Sequence, residues 1–332
     1  YPLIDGVVNG CPSHLLEPAR TNLLPYSQDS TGWTLNNTVE TPNALISPDG
    51  ALNASKFVTS SLVVNIKYAN IPVTANTVYT YSFYCNYVGG LGLQGRFYDN
   101  TNGANIEYYD YMEQIEQGKW KRVTRTFTTP VGCTNIQVWY LASSSTFPVT
   151  AYYWGAQLEQ GSYATSYIPS LIGSQTTRSA ETANGAGNAS TFNDSEGVLM
   201  TEVSALANDG STRVISLSGG SQSVNNIYLN FNTAGGLSCQ VLTSGGSNNL
   251  STTNINQDTN NKILLKYKAN DFALWINGFE VATDTTLSST PTGLDRLNFD
   301  FGAGSLDFYG KTKQLQYFDS ALNDSDLEKI TS

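Results

Sequence analysis

Apolar and polar side chains alternate with a period of two along most of this chain. The clearest segments are VYTYSFYCNY (78–87), LGLQGRFYD (91–99) and NIQVWYLA (135–142). Successive residues of a β-strand point to opposite faces of its sheet, so this alternation predicts strands with one buried face. The strands follow each other at short spacing with turn residues between them, a pattern typical of a β-sandwich over 56–141.

The polar side of these strands carries aromatic, amide and guanidinium groups. Flat rings suit the apolar face of a sugar, and amide and guanidinium groups suit its hydroxyls. If the strands are neighbours, they form a glycan-binding face; the alternative is an ordinary packed or solvated face. The residues of this predicted face are Tyr84, Asn86, Gln94, Arg96, Tyr98, Gln137 and Trp139.

The period-two pattern returns from Glu196 to the end of the chain. Asn277-Gly278 follows an alternating apolar run and is a strong hairpin signal. A second set of outward residues combines an aromatic platform with amides and charges, and we interpret it as a second candidate sugar site. The alternative is that Trp275 packs under a loop. The set is Tyr228, Asn230, Trp275, Arg296, Asn298 and Asp300.

The chain has 332 residues, which favours two domains over one sandwich. Small polar residues dominate between the two alternating regions and indicate a linker. We therefore predict an all-β protein of two β-sandwich (jelly-roll) domains, 1–175 and 196–332, joined by a linker at 176–195. Asn323 is a suitable N-cap for a short C-terminal helix.

The charge and composition of the chain limit the classes of partner that it is expected to bind. The 17 Lys and Arg residues against 27 Asp and Glu residues give a formal charge of −10. This balance argues against nucleic acid and anionic membranes as partners. It also makes a strongly anionic polysaccharide a poorer ligand than a neutral one, unless positive charge is locally concentrated. No apolar run reaches transmembrane length, so no membrane insertion is expected.

Motifs for metal or nucleophilic chemistry are not found in the sequence. Cys11, Cys85, Cys133 and Cys239 show no CxxC spacing, so we expect free thiols rather than a zinc site, with a Cys85–Cys133 pair left open. His14 is the only histidine, and no nucleophile motif surrounds it.

Two segments carry a resemblance to a known family. EPARTNLL begins at Glu17, and WGAQLEQGSYATSYIP begins at Trp154, about 140 residues later, followed by Arg178. This pairing resembles a recurrent module of phage tail-fibre, head-fibre and prophage proteins. The resemblance implies a carbohydrate-binding, jelly-roll-like first domain. The sequence departs from it at His14, where an apolar residue is expected.

The second half resembles the concanavalin A-like, laminin-G-like lectin fold. The segments that carry this resemblance are NDFALWINGFEVA (270–282), LDRLNFDFG (294–302) and the closing KTKQLQYFDSALNDSDLEKIT. Lectins, glycosidases, lyases and structural modules share this fold, so the resemblance implies no particular activity.

We interpret the chain as a virion or prophage surface appendage that recognises a host-surface or environmental polysaccharide without cleaving it, and the first resemblance implies the virion setting. The expected partners are a polysaccharide or cell-surface glycan and other virion proteins, often in a homotrimer at the virion surface or outside the cell. No cofactor is required. Modules of this kind can hold structural calcium, for which Glu17 and Glu159 offer hard oxygen ligands. The alternative is that Glu17 and Arg20 form structural contacts.

Two other functions stay open. A polysaccharide lyase needs a cation against the uronate and a base, roles open to Arg96 and to Tyr98 or Tyr84. A hydrolase needs two carboxylates across a cleft, which the sequence does not place. The third function is a structural decoration or assembly domain of a virion.

Overall fold

The computed structural model describes residues 3–4, 7–8, 12–59, 65–141, 146–170, 172–253 and 255–332. Regular structure in these residues is nearly all antiparallel β-sheet, with a short α-helix close to the C-terminal end. Contacts divide the chain into two compact units. We call Ala19–Ser179 unit I, and Tyr1–Pro18 with Ala180–Ser332 unit II. The prediction of an all-β protein with β-sandwich domains and a short C-terminal helix is confirmed.

The strands up to residue 72 are β1 (Leu3–Ile4), β2 (Val7–Val8), β3 (His14–Leu16), β4 (Arg20–Asn22), β5 (Thr34–Asn36), β6 (Thr38–Ile46), β7 (Leu52–Thr59) and β8 (Asn65–Pro72). Those up to residue 178 are β9 (Val78–Leu91), β10 (Gln94–Asp99), β11 (Ala104–Asp110), β12 (Trp120–Thr128), β13 (Asn135–Leu141), β14 (Thr146–Gln160) and β15 (Thr176–Arg178), with a 3-10 helix at Met112–Gln114. The remaining elements are β16 (Asn184–Ala186), β17 (Glu196–Ala205), β18 (Arg213–Ser218), β19 (Asn226–Phe231), β20 (Leu237–Thr243), β21 (Gly246–Thr252), β22 (Asn261–Lys268), β23 (Phe272–Ile276), β24 (Phe279–Asp284), β25 (Arg296–Asn298), β26 (Gly310–Phe318) and helix α1 (Asp324–Thr331).

Unit I is a sandwich of two five-stranded antiparallel sheets. Sheet A has the order β11-β10-β13-β8-β5, and sheet B has the order β12-β9-β14-β7-β6. Burial alternates along β10, where Phe97 is buried while Arg96 and Tyr98 are partly exposed. In β9, β10 and β13, the side that the sequence pattern assigned to the core is the side that packs between the sheets.

Tyrosines fill much of the core of unit I. The Tyr111 hydroxyl donates to the Tyr140 carbonyl oxygen at 2.8 Å and lies 2.7 Å from the Tyr153 hydroxyl. Burial raises the pKa of Tyr111 and Tyr153 well above the usual value, so both rings stay neutral. Because these hydroxyls find partners inside the protein, tyrosine serves here as a core residue.

The Asn22 amide connects the two segments of the family-like motif. Its Nδ2 donates to the carbonyl oxygens of Ala156 and Ile168 at 3.1 and 3.0 Å. Its Oδ1 accepts from the backbone N–H of Leu24 and of Leu158, each at 3.1 Å. A fully buried side chain thus satisfies four backbone groups from three parts of the chain.

The segment after β14 folds back over the outer face of sheet B. The Ser27 hydroxyl lies 2.6 Å from the Tyr167 hydroxyl and accepts from the Ser170 N–H at 2.9 Å. The Tyr167 ring packs against the buried Trp154 ring, with their centroids 4.5 Å apart. At Gly155, a φ of 68° coincides with a shift of register between β14 and β9, as expected for a bulge.

Unit II contains two six-stranded antiparallel sheets around their own core. Sheet C has the order β16-β25-β18-β19-β20-β21, and sheet D has the order β24-β23-β22-β17-β26-β3. The predicted hairpin joins β23 to β24 through Asn277 and Gly278, both at positive φ. The Asn323 side chain accepts from the Asp326 N–H at the start of α1, which confirms the predicted N-cap.

The predicted domain limits differ from the observed units at both junctions. The N-terminal segment belongs to unit II, because β3 pairs with β26 from His14 to Leu16. The expected linker 176–195 contains β15, which pairs with β4, and β16, which pairs with β25. Small polar residues are typical of a linker, but they also occur in short edge strands. Such a strand pairs with its neighbour through backbone hydrogen bonds, which do not depend on large side chains.

The cysteines that the structure describes are buried free thiols, namely Cys85, Cys133 and Cys239. Cys11 lies outside the described residues. The Cys85–Cys133 pair that the sequence left open is therefore not formed.

We expect Asn22→Ala to lower the unfolding free energy of unit I by about 2–4 kcal/mol, because it leaves buried backbone groups without partners. Urea unfolding of the whole chain, followed by tryptophan fluorescence, measures the change. Thr128→Ala, at an exposed position of β12, is the control and should change the free energy by less than about 0.5 kcal/mol. Equal midpoints for both variants would contradict the role assigned to Asn22.

Candidate functional site

The outer side of sheet A brings aromatic rings and two cations together. We call this surface the Arg96 face. It consists of Lys67 on β8, Arg96 and Tyr98 on β10, Asn105 and Tyr108 on β11, and Gln137 and Trp139 on β13. Arg96 is the register partner of Tyr108 on one side and of Trp139 on the other, which places its side chain among the rings.

The Arg96 guanidinium stacks on three aromatic rings. Its central carbon lies 4.5 Å from the ring centroid of Tyr98, 5.0 Å from that of Tyr108 and 4.5 Å from that of Trp139. The Lys67 ammonium lies 5.0 Å from the centroid of Trp139, its register partner on β8. The indole therefore contacts two cations, one from each neighbouring strand.

Side-chain hydrogen bonds fix this arrangement. Arg96 Nε donates to Asn105 Oδ1 at 2.6 Å. Trp139 Nε1 donates to Gln137 Oε1 at 3.1 Å, and Gln137 Nε2 donates to Asn100 Oδ1 at 2.6 Å. The Trp139 ring and the Arg96 guanidinium are thus held in place before any ligand arrives.

The rings of the Arg96 face differ in their accessibility. Trp139 is only 8% exposed, because Arg96 and Lys67 cover it, whereas Tyr108 is 51% exposed. Tyr108 therefore offers the accessible ring, and Trp139 supports the two cations. The face predicted from the sequence included Trp139 but not Tyr108.

Two members of the first predicted set lie elsewhere. Tyr84 and Asn86 are on β9, which belongs to sheet B. They therefore lie on the outer side of sheet B, whereas the Arg96 face is the outer side of sheet A. Tyr84 packs there against Trp154, and Asn86 is buried. Gln94 is at the start of β10, with Asp110 as its register partner. The prediction of one face is corrected, because β9 and β10 are consecutive in sequence but lie in different sheets.

This separation also affects the candidate catalytic residues. Arg96 and Tyr98 are in contact, but Tyr84 is on the other sheet and cannot act with them. Glu107 is in an ion pair with Arg125, and Glu116 is in ion pairs with Lys119 and Lys121. The carboxylates of Glu107 and Glu116 are therefore engaged in ion pairs.

Four members of the second predicted set share sheet C. Asn298 and Tyr228 flank Ser216 on the intervening β18. Tyr228 is 7% exposed, its hydroxyl donates to Gln240, and Phe301 packs edge-on against its ring at 4.7 Å. Sheet C therefore brings these four side chains together, but contacts within the protein cover the ring of Tyr228.

Three polar residues of this second set, Asn298, Arg296 and Asp300, are also engaged in contacts within the protein. Asn298 is buried and accepts from the Gly185 N–H at 2.8 Å. Arg296 donates to Asp295 through Nε and Nη2. Asp300 is buried and accepts from the Gly304 N–H. The Asn230 Oδ1 is buried with no hydrogen-bond partner among the described residues.

Trp275 is not at the surface. It lies on the outer side of sheet D in a cluster with Val198, Met200, Leu264 and Leu327, the last from α1. The ring is 7% exposed, so the helix removes it as a platform for sugar. The alternative that Trp275 is a packing residue therefore describes it better than a sugar site. The element that covers it is helix α1 and not the expected loop.

The two candidate calcium ligands belong to different units. Glu17 is in unit II, where its N–H donates to Glu181 Oε2 at 2.9 Å. Glu159 is buried in unit I, where Oε1 accepts from the Thr165 N–H at 2.7 Å, and Oε2 accepts from the Thr165 hydroxyl and from Gln157 Nε2. These bonds satisfy Glu159 without a metal, and calcium binding by this pair stays a prediction.

The part of the chain that the structure describes contains no group of three or more His, Cys, Asp or Glu side chains that could hold a metal. Likewise, none of its helices is long and apolar enough to cross a membrane.

Unit I also has an open cavity of about 770 Å³ away from the Arg96 face. Its lining includes Arg20, Thr74, Tyr79 and Gln160. Tyr79 is 3% exposed, and its hydroxyl accepts from the Thr74 N–H. Because this cavity offers no accessible ring, we regard the Arg96 face as the better candidate site.

Comparisons with known proteins found no matching family model and no matching curated protein. Solved structures do match parts of the chain. The CBM40 of the Ruminococcus gnavus IT-sialidase, bound to α2,3-sialyllactose, has 17% identity over 45% of this chain and 94% of that chain, with a TM-score of 0.38. The xylan-binding CBM22-1 domain of Paenibacillus barcinonensis Xyn10C has 17% identity over 47% and 100%, with a TM-score of 0.31.

A SAP-like pentraxin from Limulus polyphemus has 10% identity over 45% of this chain and 74% of that chain, with a TM-score of 0.34. Identities and scores of this size assign no ligand to this chain.

A pH dependence follows from Glu159. Burial raises its pKa above the usual glutamate value of 4.5, so the folded state keeps the proton to a higher pH than the unfolded state. The stability gained from this carboxyl group is present below the unfolded pKa and is lost as pH rises through the folded pKa. The unfolding free energy of wild type minus that of Glu159→Gln should therefore decrease as pH rises from 4.5.

Chemical denaturation of both proteins at half-unit steps of pH measures this difference. Thr128→Ala, at an exposed position of β12, is the control, and its difference from wild type should be nearly independent of pH because it removes no titratable group. A Glu159 difference that stays flat or increases with pH would contradict the prediction.

Proposed function

We propose that unit I binds a glycan on the Arg96 face and does not cleave it. The observation that carries this proposal is the half-exposed Tyr108 ring beside a guanidinium that is stacked on three rings. An accessible ring contacts the apolar face of a sugar, and the guanidinium and amide groups around it bond to hydroxyls.

Preorganisation supports the same function. Asn105, Gln137 and Asn100 hold the side chains of the face through hydrogen bonds between neighbouring strands and loops. A ligand that binds to groups already ordered loses less side-chain entropy than one that must order them. The face also lies on strands rather than on a loop, which favours a fixed geometry.

The biological setting that we propose is a virion or prophage surface appendage that recognises a host-surface or environmental polysaccharide. The similarity of the segments around Glu17 and Trp154 to modules of phage fibre proteins supports this setting. A homotrimer, contacts with other virion proteins and a location at the virion surface or outside the cell belong to the same proposal. Structural calcium is a further part of it.

Two other functions can be distinguished from binding by the experiment described below. A depolymerase would degrade the polymer, and a structural decoration domain would bind no glycan at all. The engaged carboxylates of Glu107 and Glu116 and the separation of Tyr84 from Arg96 favour binding over cleavage.

We expect Tyr108→Ala to weaken glycan retention at least about tenfold, because the substitution removes the accessible stacking surface. Affinity electrophoresis in native gels cast with individual polysaccharides measures retention, and staining each gel for polymer reveals cleavage. Phe279→Ala is the matched control, because Phe279 is an exposed aromatic residue of unit II.

A band retarded in an intact gel that Tyr108→Ala releases and Phe279→Ala does not would support binding at this face. A cleared zone around the wild-type band would identify a depolymerase. Unshifted bands in every gel would favour the structural function, and equal retention of both variants would remove the Arg96 face as the site.

A further inference from the structure

We propose that the glycan bound at the Arg96 face is acidic and that Arg96 and Lys67 together hold a sugar carboxylate. This inference rests on the proposed function and names the class of ligand for that site. The inference is based on two cations that lie next to one aromatic side chain. This local positive charge contrasts with the overall charge of −10.

The two cations flank the same ring. Arg96 and Lys67 are the register partners of Trp139 on its two neighbouring strands, and they lie 4.5 and 5.0 Å from the ring centroid. Two like charges beside one ring repel each other, and an anion that contacts both would reduce that repulsion.

Neither cation is neutralised inside the described part of the chain. Arg125, Arg213 and Arg296 each form an ion pair with an acidic side chain. Arg96 and Lys67 form none there, and the single hydrogen bond from Arg96 goes from Nε to the neutral amide of Asn105. The terminal nitrogens of Arg96 thus stay available to a ligand.

Acidic side chains around the face are engaged elsewhere. Glu107 on β11 pairs with Arg125 of β12. Asp110 accepts from the Met112 N–H at 2.8 Å, and Asp99 is buried and accepts from Thr101 and Asn102. The hydrogen bond does not cancel the charge of the exposed Asp110, but Arg96 and Lys67 outnumber this carboxylate, so the face presents positive charge.

A planar carboxylate matches these groups better than a neutral hydroxyl. A guanidinium offers parallel N–H donors that fit the two oxygens of a carboxylate, and an ammonium adds a point charge. Tyr108 can stack on the ring of the same sugar. Binding to an acidic polymer should also weaken as salt screens the charges.

The test compares acidic polysaccharides with neutral derivatives of identical backbone. Affinity electrophoresis of the full chain is run in gels of polygalacturonate, alginate and hyaluronate, in gels of their carboxyl-reduced forms, and in gels of dextran and dextran sulfate. We expect retention by at least one carboxylated polymer and about tenfold weaker retention by its reduced form.

The variants Lys67→Met and Arg96→Lys test the contribution of each cation to binding. Lys67→Met should reduce retention by the carboxylated polymer about tenfold, and Arg96→Lys should reduce it although the charge is kept, because the planar fork is lost. Lys56→Met, which removes a cation from sheet B, is the control and should be retained like wild type. Unfolding midpoints of all variants show whether a loss arises from folding.

The outcomes are distinct. Equal retention by a polymer and its reduced form, or retention by neutral polymers only, overturns the acidic ligand and leaves glycan binding standing. Equal retention by dextran sulfate and by the carboxylated polymers overturns the carboxylate in favour of anionic charge alone. Retention by no polymer overturns the proposed function, and the inference falls with it.

Discussion

The fold of unit I depends on one buried amide. Asn22 uses both of its donors and both lone pairs of its oxygen on backbone groups that belong to β14, to the segment after it and to its own turn. No hydrophobic side chain of similar size could replace it, since four backbone groups would lose their partner. This requirement connects the segment around Asn22 with the segment around Leu158, and it positions the end of β14 against the start of the unit.

The alternation of side chains was sufficient to assign the two sides of each strand but not the partner of each strand. Phe97 and Arg96 lie on the sides that the pattern indicated. Tyr84 does not join Arg96, because period two carries no information on which strands pair or where the chain crosses between sheets. Trp275 illustrates a related limit: alternation places it on the outer side of sheet D, and only the position of α1 shows that this side is covered.

The same distinction applies to the candidate site. Arg96, Tyr98, Gln137 and Trp139 were identified because they share one side of two strands that pair. Lys67 was missed, since its place beside Trp139 depends on the pairing of β8 with β13. The local concentration of positive charge that composition made unexpected therefore arises from tertiary structure, where two cations separated in sequence meet on one indole.

The pairing of β3 with β26 makes unit II a discontinuous domain, with unit I inserted between its first strands and its remainder. The polypeptide therefore crosses between the units twice, and a single proteolytic cut at one crossing leaves them covalently joined. A fragment that begins at residue 180 would lack β3 and expose the backbone of β26 as a free sheet edge. Such edges pair readily with other chains, so the fragment is expected to self-associate.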